Sequence, residues 1–271
     1  MLRSLKDFQG YTVEATDGSI GKVRDVYFDD ETRHVRYVVA SIGDWLDRHD
    51  VLISPWALKE PTSHSFPVGL TRDQVRNSPP VDTAQPISRQ QEIELHDYFG
   101  WPSYWGYVGV SNTLDPASFY PSASELRRIR EKVGDLTRQR ERDIQEHGYD
   151  PHLRSTREVA GYRVRALDGQ VGHVEDFILD TDSWTIRYCV VDTRDWLPGR
   201  RVLIAASWVT QIDWGQKLIY IELRREDIEH APEFDPDQPV NRHYEERLYD
   251  YYGRPRYWAS EEVEPERSGH A

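Results

Sequence analysis

Four acidic residues, Asp25, Asp29, Asp30 and Glu31, stand close together, and Asp176, Asp180 and Asp182 echo them 151 positions on. Carboxylates at such spacing can offer hard oxygen ligands to calcium or magnesium. The order here lacks the glycine at the sixth place and the glutamate at the twelfth that an EF-hand loop requires. The acids therefore read as turn chemistry and solvated charge, with a weak cation site as the competing reading. Ten histidines occur without H-x-H or H-E-x-x-H spacing, and a duplicated centre would have to be written twice. His34, His173 and His96 face Thr185, Lys22 and Tyr249 in the other half, so they read as exposed singletons. Gly18-Ser19-Ile20-Gly21 has the composition of a phosphate loop, but it falls between two strands and not at a helix start, where a dipole and free amides would exist. No G-x-S-x-G elbow is present. The single cysteine, Cys189, excludes an internal disulfide and a cysteine-based zinc site, and as the counterpart of Val38 it reads as buried filler. These patterns predict no catalytic residue, no metal and no cofactor.

The stronger candidates are aromatic. "YFGWPSYW" (98–105) carries Tyr98, Trp101, Tyr104 and Trp105, and "YYGRPRYW" (251–258) carries Tyr251, Tyr257 and Trp258. Each is a hook of large amphipathic rings after a helix, suited to anchor a partner or to fold back over its own half. Trp45 and Trp196, each in an Asp-Trp-Leu turn, carry the same two readings.

The elements that must position these residues are themselves duplicated. Residues 8–53 laid over 159–204 agree at 19 of 46 positions, including Asp17-Gly18 with Asp168-Gly169, Gly21 with Gly172, Asp25 with Asp176 and Arg36-Tyr37 with Arg187-Tyr188. The echo resumes at a slightly longer offset in "LTRDQVRNSPP" and "LRREDIEHAPE" and then in the hooks. So long a period means two copies of one domain, not a solenoid. Tyr11, Val13 and Ala15, and then Val35, Tyr37 and Val39, alternate with period two, which predicts half-buried antiparallel strands. Asp-Gly between such runs is a hairpin signal, and Gly21 is the natural place for a bulge that bends the next strand. With "VLIS" and "VLIA" as further strands, each copy has five or six short strands, which suggests a closed barrel. A short helix follows each: Ser88 and Gln91 form a capping box, Gln91, Leu95 and Tyr98 share one face, and so do Tyr244, Leu248 and Tyr251.

The predicted organisation is therefore a first repeat with helix and hook at 1–105, a linker at 106–154, a second repeat at 155–258 and an acidic, disordered tail at 259–271. In the linker, Ser122 and Glu125 open a charged helix with an apolar stripe at Leu126, Ile129, Val133 and Leu136, which Gly148 stops. That stripe could dock on its own chain or pair with a second one, making a homodimer possible. Of the 271 residues 38% are apolar and 30% charged, enough to bury a core. The net charge of −13 repels phosphate backbones and anionic lipid, so nucleic acid is a disfavoured partner. No apolar run has the length of a membrane span or of a secretory signal. Cytoplasmic residence is the resulting expectation.

"GYTVEATDGSIGKVRDVYFDD", "VRYVVASIGDW" and "VLISPWAL" together resemble the PRC-barrel family, represented by the cytoplasmic domain of the photosynthetic reaction centre H subunit and the C-terminal domain of a ribosome maturation factor. The resemblance covers residues 5–75 and 156–228, and the chain looks like the free-standing bacterial branch with two barrels. It implies a mainly β fold, two small barrels in tandem joined by a helical linker, used for protein contacts and assembly and supplying no catalytic residues. The transmembrane helix of the H subunit and the extra N-terminal domain of the ribosomal factor have no counterpart here. The expected function is thus a non-enzymatic interaction module with an unidentified protein partner, the two repeats packing about an approximate two-fold axis. A ribosome- or RNA-associated assembly factor and a peripheral regulator docking on a membrane protein complex are the alternatives.

Overall fold

Asp17 and Gly18 do what the hairpin signal asks. Strand β2 (Thr12–Ala15) ends, Thr16 and Asp17 turn, and β3 (Gly18–Asp29) begins with Gly18 at a φ of +135°. The Asp17 carboxylate also accepts the backbone N–H of Arg72, at the start of a short helix, at 2.7 Å. One dipeptide thus fixes a turn and caps a helix. The computed structural model describes residues 1–43, 49–81, 83, 86–104, 142–146, 148–150, 152–194 and 200–260.

The first repeat contains β1 (Leu2–Ser4), α1 (Leu5–Phe8), β2, β3, β4 (Val35–Ile42), β5 (His49–Ile53), β6 (Ser65–Pro67), α2 (Arg72–Arg76) and α3 (Arg89–Phe99). The second contains β7 (Leu153–Ser155), α4 (Thr156–Val159), β8 (Arg163–Ala166), β9 (Gly169–Asp180), β10 (Thr185–Asp192), β11 (Arg201–Ala205), β12 (Val209–Asp213), β13 (Leu218–Ile221), α5 (Arg225–Glu229) and α6 (Arg242–Tyr252). The sheets share one order: β5-β4-β3-β2-β6 and β11-β10-β9-β8-β13-β12. The link from β2 to β6, and its equivalent from β8 to β13, is parallel in both, and the second sheet adds β12 antiparallel to β13.

The expected bulge sits beside Gly21: Val13 pairs with Gly21 and Glu14 with Ser19, which leaves Ile20 unpaired. The glycine is needed for a further reason. A Cβ there would lie 2.2 Å from the Ser41 carbonyl oxygen, and one at Gly172 would lie 1.9 Å from that of Asp192. Adjacent strands approach more closely than any side chain permits.

Two expectations need correction. Val38 and Val39 are both buried, so β4 is covered on both faces, with the barrel interior on one side and α3 on the other. Its alternation had suggested a half-buried strand. Among the described residues no ladder joins the two end strands of either sheet, so the cylinder is not closed by hydrogen bonds. A 3-10 turn takes the place of the seam: Ala206–Trp208 carries the chain directly from β11 into β12, closing the circuit through a covalent corner. In the first repeat the turn Pro55–Ala57 leads to Leu58, which bridges Val68.

The two repeats exchange strands. On one edge of β3, β2 covers Gly18–Lys22, and the uncovered stretch Tyr27–Asp29 is paired by β7, which belongs to the second repeat. Reciprocally β1 pairs with Ile178–Asp180 of β9. The turns after β3 and β9 also meet: the Val35 N–H donates to the Trp184 carbonyl, the Ile186 N–H to the Arg33 carbonyl, and His34 bridges Thr185. His34 and Thr185 are equivalent residues, and a bridge between equivalents is what a two-fold axis passing between them produces. One apolar cluster, from Leu5 through Phe28 and Phe177 to Trp258, runs through both repeats. The linker stretch 105–141, with the helix expected from Ser122 to Leu136, and the tail 261–271 lie outside the described residues. Gly148 does end a helical stretch: its φ is +76° and its N–H donates to the Ile144 carbonyl at 2.7 Å.

Candidate functional site

The acids first weighed as cation ligands have their oxygens engaged by protein donors. Asp25 lies on β3 where the exchanged segment arrives, and Oδ2 accepts the Ser155 hydroxyl at 2.5 Å. Its Oδ1 accepts from Thr156 Oγ1 at 3.0 Å, from the Val26 N–H at 2.8 Å and from the Arg157 N–H at 3.3 Å. Asp176 repeats this in reverse, taking the Ser4 hydroxyl at 2.5 Å, the Lys6 N–H at 3.1 Å and the Phe177 N–H at 2.7 Å. Each aspartate latches the other repeat's N-terminal segment. Burial raises the pKa of both, against the opposing pull of these donors. Asp29 takes the N–H groups of Glu31 and Thr32 and the guanidinium of Arg36 at 3.2 Å. Asp180 likewise takes the Asp182 N–H, the Ser183 hydroxyl and Arg187. These two acids organise the turns between long strands. Asp30 pairs with His152 at 2.8 Å and lies 3.4 Å from Arg154.

The twice-written Arg-Tyr of β4 and β10 builds a second device, a clasp that holds each C-terminal helix. Tyr37 points outward from β4 beneath α3, and its hydroxyl lies 3.0 Å from Glu92 Oε1 and 2.8 Å from His96 Nε2. Tyr104 of the hook reaches the same carboxylate, and Arg89 pairs with Glu92 and Asp150 at 2.8 Å each. The Arg36 guanidinium carbon lies over the Tyr104 ring, 4.2 Å from its centre. In the second repeat Tyr188 and Tyr257 both donate to Glu245, at 2.7 and 2.8 Å, Arg242 pairs with Glu245 at 3.0 Å, and Arg187 covers Tyr257 at 4.1 Å.

Electrostatics distinguish the first clasp. Complete burial pushes the Glu92 carboxyl up to about 7, with Asp150 adding to the rise and Arg89 and the tyrosine hydroxyls opposing it. Burial lowers the His96 pKa, which favours the neutral ring. The Pro102 carbonyl, 3.1 Å from Nδ1, takes that nitrogen's proton and leaves Nε2 to accept from Tyr37. The Tyr37 hydroxyl has one proton for two acceptors, Glu92 Oε1 and His96 Nε2, and shares it between them. His96 is thus buried and bonded through both nitrogens, which corrects its reading as an exposed singleton. Cys189 is buried as filler, its thiol pushed up to about 12 by desolvation.

The hooks are turned inward for most of their length. Trp258 is 3% exposed and lies 5.0 Å from Tyr249, Tyr104 and Tyr257 are half-buried in the clasps, and Trp101 stacks on Phe99 at 4.2 Å. Of the rings proposed for partner contact, Tyr98 and Tyr251 face solvent, at 44% and 41% exposure. They are equivalent, and each is pinned by its hydroxyl, Tyr98 to the Gln74 carbonyl at 3.0 Å and Tyr251 to that of Asp227 at 2.8 Å. Trp45, Trp196 and Trp105 lie outside the described residues. The helix faces also shift from expectation: the buried sets are Glu92, Leu95 and His96, and Glu245, Leu248 and Tyr249.

Sequence reasoning missed the latch serines and the clasp glutamates. Both signals were present: "LRS" stands at 2–4 and again at 153–155, and Arg89 and Glu92 recur as Arg242 and Glu245. Residues 2–63 match the family model of the PRC-barrel domain, a span that includes β1 to β5 and the first 3-10 turn. No curated protein matches the chain. Among the described residues no helix is long and apolar enough to cross a membrane.

Proposed function

With a PRC-barrel domain at residues 2–63 as the premise, we propose that the chain is a non-enzymatic assembly module that presents two equivalent aromatic contact points to a protein partner. The observation that supports this reading most directly is the pairing of Tyr98 with Tyr251. The other duplicated polar and aromatic groups of the latches and clasps are engaged in internal contacts, whereas these two rings are exposed and held by their hydroxyls. A pre-positioned tyrosine loses little freedom on binding, which is why such rings serve as interface anchors. Two of them on one strand-exchanged body suit a partner that is itself two-fold, or one carrying two like sites, so that the second contact forms at high effective concentration. The net charge of −13 favours a partner with a basic face over nucleic acid or anionic lipid. A single buried cysteine suits residence in the cytoplasm.

The test is affinity capture from the native host with the wild-type chain, Tyr98→Ser, Tyr251→Ser and the double variant. The partner retained by wild type should bind each single variant about tenfold more weakly, ~1.4 kcal/mol, and be lost from the double variant. Undiminished capture by the double variant, with its melting curve unchanged, removes these rings from the contact.

A further inference from the structure

The repeats differ inside their barrels at the place where each receives the other's turn. The turn after β9 sends Trp184 into the first repeat, where its ring lies 6.1 Å from Phe66, and Phe66 in turn lies 4.7 Å from Phe8. Three rings fill that interior. The equivalents in the second repeat are Arg33 for Trp184, Val159 for Phe8 and Ile219 for Phe66. The last equivalence follows from register, since Phe66 pairs with Val13 and Ile219 with Val164. Replacing three rings by two aliphatic side chains and an arginine leaves space. A half-open cavity of about 340 Å³ lies there, lined by Val159, Phe177, Ile186 and Ile219, by the polar Thr210 and Gln211, and by Arg33. That volume falls in the range of small-molecule pockets.

Arg33 is an unusual lining for such a chamber. Its Nε donates to the Ala206 carbonyl at 3.0 Å, and among the described residues no carboxylate pairs with its guanidinium. Burial lowers its pKa, as desolvation of a cation without a counter-ion does. Asp30 and Glu31 also line the cavity. Asp30 is engaged by His152 and Arg154, and Glu31 lies 3.8 Å from His152 Nε2. These acids disfavour a second negative charge on anything that enters. A cavity with an apolar wall and an arginine among its polar lining complements a single anionic head on an apolar tail.

We propose that the second repeat binds a small aliphatic monocarboxylate, its tail among Val159, Phe177 and Ile219 and its carboxylate on the Arg33 guanidinium. The first repeat, plugged by Trp184, does not bind one. This site is independent of the aromatic contact points.

The experiment titrates the full chain calorimetrically with octanoate and, as the uncharged control of equal length, octanol. Octanoate should bind at least about tenfold more tightly than octanol and raise the melting temperature. Arg33→Gln should bring octanoate down to the affinity of octanol. Arg33→Trp, which copies the plug of the first repeat at a position whose φ of +66° resembles the +52° of its equivalent Trp184, should abolish binding of both. Equal affinity of the two probes for the wild-type chain overturns the proposal. So does an absence of heat and of any melting shift with octanoate, and so does octanoate binding that survives Arg33→Trp.

Discussion

The two repeats share strand order, bulges, latch and clasp, yet they fill the same plan with different chemistry. At the latch, Asp25 receives two hydroxyls and two N–H groups, because Thr156 follows Ser155. Asp176 receives one hydroxyl and two N–H groups, because Leu5 follows Ser4. At the clasp, Tyr37 shares its proton between Glu92 and a histidine, and Arg89 divides its charge between Glu92 and Asp150. In the second repeat Tyr249 stands in place of His96, and Tyr188 donates to Glu245. The comparison teaches that the backbone requires a buried acid on β3 and β9 and another on α3 and α6, and tolerates variation in what surrounds each. What varies is the set of donors that each acid holds.

The latch offers the largest effect. Asp25→Ala strands the Ser155 and Thr156 hydroxyls and the Arg157 N–H in a half-buried seam, and should lower the unfolding free energy by about 4 kcal/mol in urea titrations. Asp176→Ala, which strands fewer donors, should cost about 3 kcal/mol. A larger loss at Asp176 would reverse the ranking drawn from these donors.

Next comes the first clasp. Glu92 holds its proton in the folded state up to about pH 7, against an ordinary value of 4.5. The folded chain therefore binds more protons than the unfolded one between those values. The contribution of this group to stability is complete below about pH 4.5 and is lost as pH rises through 7, a change of about 3 kcal/mol. Relative to Glu92→Gln, the wild-type chain should weaken by that amount between acid and neutral pH in parallel denaturation series. Parallel curves would mean that Arg89 keeps the carboxylate ionised throughout.

The strand contacts give the smallest difference between repeats. Gly21→Ala and Gly172→Ala each drive a methyl group into a backbone carbonyl, at 2.2 and 1.9 Å before relaxation. Both should destabilise by about 2 kcal/mol or more, with Gly172 the worse by about 1 kcal/mol because its φ of +144° also disfavours a side chain. Thermal melts of the two variants compare them directly, and equal melting temperatures would leave the φ difference without energetic weight.

Local devices were legible in the amino-acid order. The Asp17-Gly18 turn, the bulge beside Gly21, the Ser88 capping box and the doubled strand order all follow from signals a few residues long or from direct repetition. The exchange was not, because it pairs residues more than a hundred positions apart and its marker is the three-residue phrase Leu-Arg-Ser, which lies just upstream of the stretch where the repeats align well. The clasp stayed hidden for another reason. Hydropathy patterns search a helix for its apolar face, and on α3 that search selects Gln91, Leu95 and Tyr98. The face that packs contains Glu92 and His96, made acceptable inside by Arg89 of the same helix and by Tyr37 and Tyr104, which come from elsewhere in the chain. A buried acid is recognisable only once its donors are known.

The strand lent by the second repeat also sets an order of events during synthesis. The stretch Tyr27–Asp29 of β3 has no neighbour on one side until residues 153–155 have been made, however early the rest of the first repeat condenses. At ordinary translation speeds the growing polypeptide spends on the order of ten seconds with that sticky border uncovered. Any helper that shields nascent chains has its natural point of action there, before the protein can supply its own cover.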